Sequence, residues 1–257
     1  MTSKVAIITG GGGVLGRASA LGLAREGYAV AVAGRSASTL EATVSAVQRA
    51  GGRALAVIAD VAEPDHVDRL FRESAEHLGP CSALLHCAAT HGTPTRLATL
   101  SLSEWEAVMR VNLRSTFLCT QAALAQMLPA RSGSIVLVSS AGALRGFPLA
   151  ACYAATKSAL FGFARTVAAE VGPDGVRVNV LVPGAMPESA IYQSAMPGIA
   201  KEFGYEPEQG VEILTGMSAM RRVCSPGEIA EAAVFLATDR SSAMTGQTMV
   251  VDGGLTV

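Results

Sequence analysis

The chain has 257 residues, a formal net charge of −1, and a composition that is 50% hydrophobic with 16% charged side chains. That balance excludes a disordered chain, gives no basic excess to attract nucleic acid, and fits strands buried on both faces within one large core. Cys81, Cys87, Cys119, Cys152 and Cys224 are scattered without CxxC spacing, and His66, His77, His86 and His91 show no ligand spacing, so neither a disulfide framework nor a metal site is expected.

Short apolar runs alternate with longer amphipathic stretches. Val5 to Thr9, Ala29 to Ala33, Ala54 to Ala59, Ala83 to Cys87, Ile135 to Val138, Val176 to Val182 and Thr248 to Val251 read as buried strands. Ser38-x-x-Glu41, Ser103-x-x-Glu106 and Ser225-Pro226-Gly227-Glu228 read as capping boxes opening the helices between them. The alternation predicts an α/β fold over residues 1–257. It is a single-domain, doubly wound parallel sheet of Rossmann type with about seven strands and helices on both faces. Residues 185–220, rich in proline and glycine, read as a mobile insertion acting as a substrate lid. No apolar run reaches membrane-spanning length and no signal-peptide pattern is present, so a cytoplasmic protein is expected.

After the first strand comes Thr9-Gly10-Gly11-Gly12-Gly13-Val14-Leu15-Gly16, followed by a helical stretch to about Glu26. Glycines let a backbone approach a pyrophosphate, and the unpaired N–H groups of the helix start attract its charge. Nucleotide binding through this turn is therefore expected. The second strand ends Gly34-Arg35-Ser36, with a guanidinium where NAD sites usually place a carboxylate. That exchange favours a 2'-phosphate, so NADP(H) is the expected cofactor and NAD(H) the second choice; an exposed Arg35 without a ligand is the bland alternative. Asp60, after the third strand, contacts the adenine amino group or caps a helix.

Ser139-Ser140 ends the fifth strand, at the sheet edge where open α/β sheets bind ligands. Tyr153 and Lys157 lie four apart at the start of a helix and share a face. With four tyrosines and few lysines in the chain, such a pairing arises by chance only about 0.05 times. A lysine charge about 4 Å from the phenol would draw its pKa from about 10 toward neutrality and make it a usable acid and base.

Taken in order, these residues resemble the short-chain dehydrogenase/reductase family along essentially the whole chain. The likeness extends to Asp60-Val61, Val111-Asn112-Leu113, Val178-Asn179, Pro183-Gly184, and Gly246-Gln247 with Asp252-Gly253-Gly254; the chain's two asparagines, Asn112 and Asn179, both fall on motif positions. The resemblance implies an enzyme that interconverts a ketone and a secondary alcohol by hydride transfer. Tyr153 would be general acid and base, Ser140 would bond the substrate oxygen, and Lys157 would bind the nicotinamide ribose. Asn112 would hold a relay water. It also implies cofactor contacts at Gly10, Gly12, Gly13, Leu15, Gly16, Arg35, Asp60, Val61, Ala88, Tyr153, Lys157, Pro183, Gly184 and Ser189, and a homotetramer or homodimer.

Three departures stand out. Val14 replaces the middle glycine of the family's TGxxxGxG pattern, which moves the phosphate contact onto Gly13 or weakens it. His86-Cys87-Ala88-Ala89 replaces Asn-Asn-Ala-Gly, so that strand's hydrogen bonding must be rebuilt. The threonine expected after Pro183-Gly184 is missing, with Ser189 as its substitute. These departures motivate an alternative, a non-catalytic nucleotide-binding regulatory or scaffold protein; an epimerase would need a larger substrate domain. The substrate pocket is expected to be largely apolar, lined by 91–97, 141–152 and Met186, Tyr192, Met196, Phe203 and Tyr205. Arg145 either meets an anionic group or is a solvated loop residue.

Overall fold

A computed structural model describes residues 4–257. Seven strands, β1 (Val5–Thr9), β2 (Ala29–Gly34), β3 (Ala54–Ile58), β4 (Cys81–His86), β5 (Gly133–Val138), β6 (Val176–Pro183) and β7 (Thr248–Val251), form one sheet in the order β3-β2-β1-β4-β5-β6-β7. Every pairing is parallel; Ile7 of β1, for example, is in register with Ala31 of β2 and Leu84 of β4. Nine α-helices lie among the described residues: α1 (Val14–Arg25), α2 (Ala37–Arg49), α3 (Pro64–His77), α4 (Leu102–Met109), α5 (Ser115–Ala130), α6 (Ala151–Val171), α7 (Ala190–Phe203), α8 (Gln209–Met217) and α9 (Pro226–Ala237).

Alternation along the strands divides the core into two layers. Ala6 and Ile8 face Leu15, Leu23, Leu40, Val47 and Val234, from α1, α2 and α9. Ile7, between them, faces the opposite layer, with Leu70, Phe71, Cys119, Met127 and Leu160 from α3, α5 and α6. Strands covered on both sides read as continuous apolar runs, which is why the sequence announces them so clearly. Each buried Ile or Leu contributes about 1.5–3 kcal/mol. Helix α1 comes close to α9 at Gly22, where a Cβ would lie 2.7 Å from Val234 Cγ2.

Only one of the three expected capping boxes forms. Ser225 accepts from the Glu228 N–H while the Glu228 carboxylate accepts from the Ser225 N–H, with Pro226 in the first turn. Helix α2 begins earlier than Ser38, with Ser36 at its N-cap. Helix α4 is capped by Ser101, whose hydroxyl accepts from Glu104 N, so Ser103 already lies in its first turn. In both cases a second serine two residues upstream takes the boundary.

Residues 185–220, read from the sequence as a mobile insertion, are largely helical. Ser189 caps α7, Gly204 ends it at φ +74, and Pro197 lies inside it on an exposed position. The glycine and proline that read as irregularity are here a C-cap and a solvent-facing residue. Tyr192 and Met196 pack against Gly210 of α8, and Tyr205 reaches Met196 Sδ, so the two helices support one another. Gly198 and Glu202 of α7 meet Pro94 and Arg96 of the loop after β4, the latter as an exposed ion pair at 2.6 Å.

Candidate active site

The strand order reverses between β1 and β4, which opens a crevice at their carboxyl ends. The glycine turn leaves β1 there. Gly10 adopts φ +64 and approaches the chain after β4 so closely that a Cβ would sit 3.0 Å from Ala88 N. A Cβ on Gly16 would lie 2.4 Å from Gly10 O, so only glycine lets α1 begin directly over the turn. Gly13 is the N-cap, and the first-turn N–H groups of Val14, Leu15 and Gly16 have no acceptor within the helix. This cradle fits a dinucleotide pyrophosphate. The Gly13 N–H itself donates to Gly10 O and so braces the turn. Val14, as the first helical residue, supplies its N–H whatever its side chain.

The other sequence-identified cofactor positions gather along the same edge. Arg35, exposed at the end of β2, has no ion-pair partner among the described residues. Asp60 and Val61 follow β3, Ala88 follows β4, Pro183 ends β6 and Gly184 follows it. Asp60 is engaged within the protein: its carboxylate accepts from Ala62 N at 3.1 Å and from Arg110 Nη2 at 3.2 Å. Burial disfavours its charge, but the Ala62 N–H and the Arg110 guanidinium outweigh that and hold the carboxyl below its usual pKa. Gly184 is forced by Asp252, whose Cα would lie 2.8 Å from an added Cβ. The Ser189 hydroxyl accepts from Tyr192 N as a helix cap. Arg145 takes neither expected role, since it donates to Leu255 O at 2.7 Å and ties down the C-terminal segment.

Ser140, Tyr153 and Lys157 converge at the end of β5. Ser140 Oγ accepts from Gly142 N, which orients the side chain at the sheet edge. Tyr153, in the first turn of α6, is 9% exposed and Lys157 is 4% exposed. Two bonds fix the helix to the strand: Ser139 Oγ donates to Lys157 O, and Lys157 Nζ donates to Val138 O, both at 2.8 Å. The ammonium lies 5.8 Å from the Tyr153 ring centroid. The expected drop in the phenol's pKa is therefore corrected: burial raises it, a hydrogen bond with Ser140 partly offsets this, and Tyr153 is held protonated. Burial pushes Lys157 down to about 8.

Asn112 sits in a π-helical turn, Arg110–Arg114, between α4 and α5. Its carboxamide is fully engaged, with Oδ1 accepting from Thr90 N and Nδ2 donating to Thr90 O and Thr156 Oγ1. Thr156 in turn donates to Tyr153 O, which links the π turn to α6. Such turns frequently mark functional sites.

The rebuilt bonding at His86 was not foreseen in detail. Ser115 Oγ donates to Val111 O, so it can only accept from His86, which places the proton on Nε2 at 3.1 Å. Nδ1 then accepts from Thr9 Oγ1 at 3.0 Å, while Thr9 Oγ1 accepts from Ala88 N. One imidazole thus joins the start of the glycine turn, the end of β4 and the start of α5. Burial, with the nearby Lys157 charge, pushes its pKa down to about 3, so it is neutral. Cys87 beside it is pushed up to about 12 by burial, so it is a thiol and not a thiolate at neutral pH. His91, which the sequence placed only on the pocket wall, stacks on the Tyr153 ring with centroids 5.0 Å apart. Phe203, expected in the pocket, is 48% exposed, its end-of-helix position turning it to solvent.

This arrangement can be compared with known proteins. Residues 13–256 match the family model described as enoyl-(acyl carrier protein) reductase. The chain belongs to the short-chain dehydrogenase/reductase family. It is 37% identical to the short-chain reductase protein NovJ of Streptomyces niveus, over 98% of this chain and 93% of that one. It is 34% identical to a 3-oxoacyl-[acyl-carrier-protein] reductase of Synechocystis sp., over 99% and 98%. The structure of actinorhodin polyketide ketoreductase with NADPH superposes with a TM-score of 0.94 at 28% identity, covering 99% of this chain and 97% of that one. The family and its fold make the chain an NAD(P)-dependent oxidoreductase acting between CH–OH and C=O groups. Among the described residues no helix is long and apolar enough to cross a membrane.

Proposed function

We propose that this short-chain dehydrogenase/reductase is an NADP(H)-preferring ketoreductase that interconverts a ketone and a secondary alcohol, with Tyr153 as general acid and base. The observation that carries the reading is the convergence of Ser140, the buried Tyr153 phenol and the buried Lys157 ammonium at the sheet edge that the glycine turn also reaches. The cofactor, when bound, supplies or accepts the hydride. Tyr153 Oη gives its proton to the carbonyl oxygen in reduction and recovers it in oxidation. Ser140 Oγ donates to the same oxygen and holds it in line with the phenol. Lys157, anchored on Val138 O, faces the ribose and keeps positive charge beside the phenol as it ionises. Asn112 fixes the π turn against α6 through Thr156 and so sets the relay path behind Lys157.

Preference for the phosphorylated cofactor is supported by Arg35, exposed where a ribose-binding carboxylate would stand. The glycine turn with Gly10, Gly12, Gly13, Leu15 and Gly16, together with Val61, Ala88, Pro183, Gly184 and Ser189, completes the cofactor cleft. The whole chain acts as one nucleotide-binding unit, with α7 and α8 covering a largely apolar substrate, and assembles as a homotetramer or homodimer. NADPH and NADH consumption across a ketone panel, with cofactor affinity titrated separately, tests this. Tyr153-dependent turnover favouring NADPH supports it, and equal turnover by Tyr153→Phe sinks it.

A further inference from the structure

His91 lies in the loop after β4 and is 9% exposed. Its ring stacks on Tyr153, the planes inclined by 27°. Nδ1 lies 3.2 Å from Gly92 O. A carbonyl oxygen only accepts, so Nδ1 carries the proton and Nε2 presents a lone pair. Among the described residues Nε2 has no hydrogen-bond partner, nor is it one of the partnerless side-chain atoms sealed from solvent. It therefore keeps some solvent access on a ring that is stacked on Tyr153.

The ring's surroundings keep this acceptor neutral. Burial, partly offset by the Gly92 carbonyl, holds the imidazole below its usual pKa. Stacked on it is Tyr153 of α6, raised by burial and so uncharged, while Cys152 of α6 and Glu104 of α4 lie against the neighbouring Gly92. The Glu104 carboxylate is committed to the backbone, accepting from Thr93 N at 2.6 Å. No lysine or arginine is bonded to the ring.

We propose that His91 Nε2 orients the substrate by accepting a hydrogen bond from a hydroxyl group carried near the reacting carbonyl, so that the enzyme selects hydroxyketones over plain ketones. A lone pair left unmatched next to a desolvated ketone forfeits a water hydrogen bond, whereas a substrate hydroxyl restores it. The reach from the stacked ring to the phenol is that of a small ring or a short chain. The inference rests on Tyr153 marking the reacting carbonyl.

The test uses cyclohexanone and 2-hydroxycyclohexanone as a matched pair with the NADPH complex. It compares kcat/KM ratios in the wild type, His91→Phe, which keeps the aromatic stack but not the acceptor, and His91→Gln, which keeps an acceptor. The wild type is expected to favour the hydroxyketone about tenfold, chiefly through KM. His91→Phe should bring the ratio close to one and His91→Gln should restore part of it. A ratio unchanged in His91→Phe, or no preference in the wild type, overturns the proposal. Ketone binding read by NADPH fluorescence gives the same ratio as dissociation constants, and so decides the matter even where turnover is slow. Tyr153→Phe runs alongside: full activity there overturns the proton-donor reading, whereas the ratio alone decides His91.

Discussion

Thr9 Oγ1 and His86 Nδ1 lie 3.0 Å apart across the reversal of strand order, joining the start of the glycine turn to the end of β4. With Ser115 on the other ring nitrogen, His86 leaves no polar atom of this junction unmatched. His86→Leu would strand the Thr9 hydroxyl and lower stability by about 1–3 kcal/mol, read as a drop in the midpoint of urea unfolding. An unchanged midpoint would mean that the two His86 bonds contribute nothing net.

The same residue predicts a pH dependence. Its folded pKa is about 3 against an ordinary 6.5, so between those values the unfolded chain binds a proton that the native protein does not. Stability should therefore fall as pH drops through that window, by up to about 1.4 kcal/mol per pH unit from this group, and be flat in it above the window. In His86→Gln, which keeps a donor and an acceptor without titrating, that component should be missing. Parallel stability profiles in wild type and variant would refute it.

Tyr153→Phe removes one oxygen from a ring that remains packed under His91 and beside Lys157. Turnover should fall by about 10²–10⁴-fold while the NADPH dissociation constant changes little, because the glycine turn does not touch the phenol. Ser140→Ala should lose less, since it removes an orienting bond but not the proton. Single-turnover rates with separately titrated cofactor distinguish loss of chemistry from loss of binding.

How far these residues could be read in the sequence follows from the range of the interactions. The seven strands were legible because doubly covered strands are unbroken apolar runs, and the Tyr153 and Lys157 pair because helical spacing fixes a common face. The pairing of His86 with Thr9 and Ser115 was not legible: it spans 77 and 29 residues and depends on which ring nitrogen carries the proton. The direction of Lys157 was misjudged for a similar reason. Spacing brings its stem to Tyr153, but the Val138 carbonyl at the end of another element captures its charge. Helical order in α7 was hidden because a proline or glycine counts against a helix only when its position in the turn is unknown.

Arg35 predicts the cofactor preference in a separable way. A guanidinium bonding a 2'-phosphate contributes about 1.5–3 kcal/mol, so Arg35→Leu should weaken NADPH binding about 10–100-fold and leave NADH nearly unchanged. Arg35→Asp should go further and favour NADH through its ribose hydroxyls. Fluorescence titration with both cofactors measures this directly, and equal losses for the two would show that Arg35 acts on the fold and not on the phosphate.

Val14 and Gly16 predict opposite outcomes within one turn. Val14 departs from the family pattern, yet as the first helical residue it contributes only a backbone N–H. Val14→Gly should therefore leave NADPH affinity within about threefold, with a stability loss of about 0.5–1 kcal/mol from added chain freedom. Gly16 matches the pattern, and its constraint is steric: a Cβ 2.4 Å from Gly10 O must push α1 off the turn and pull the helix N–H groups away from the pyrophosphate. Gly16→Ala should lose most NADPH affinity while remaining folded by circular dichroism. If Val14→Gly instead tightens binding strongly and Gly16→Ala binds normally, the cradle is set by side-chain bulk at position 14 and not by the approach of helix to turn.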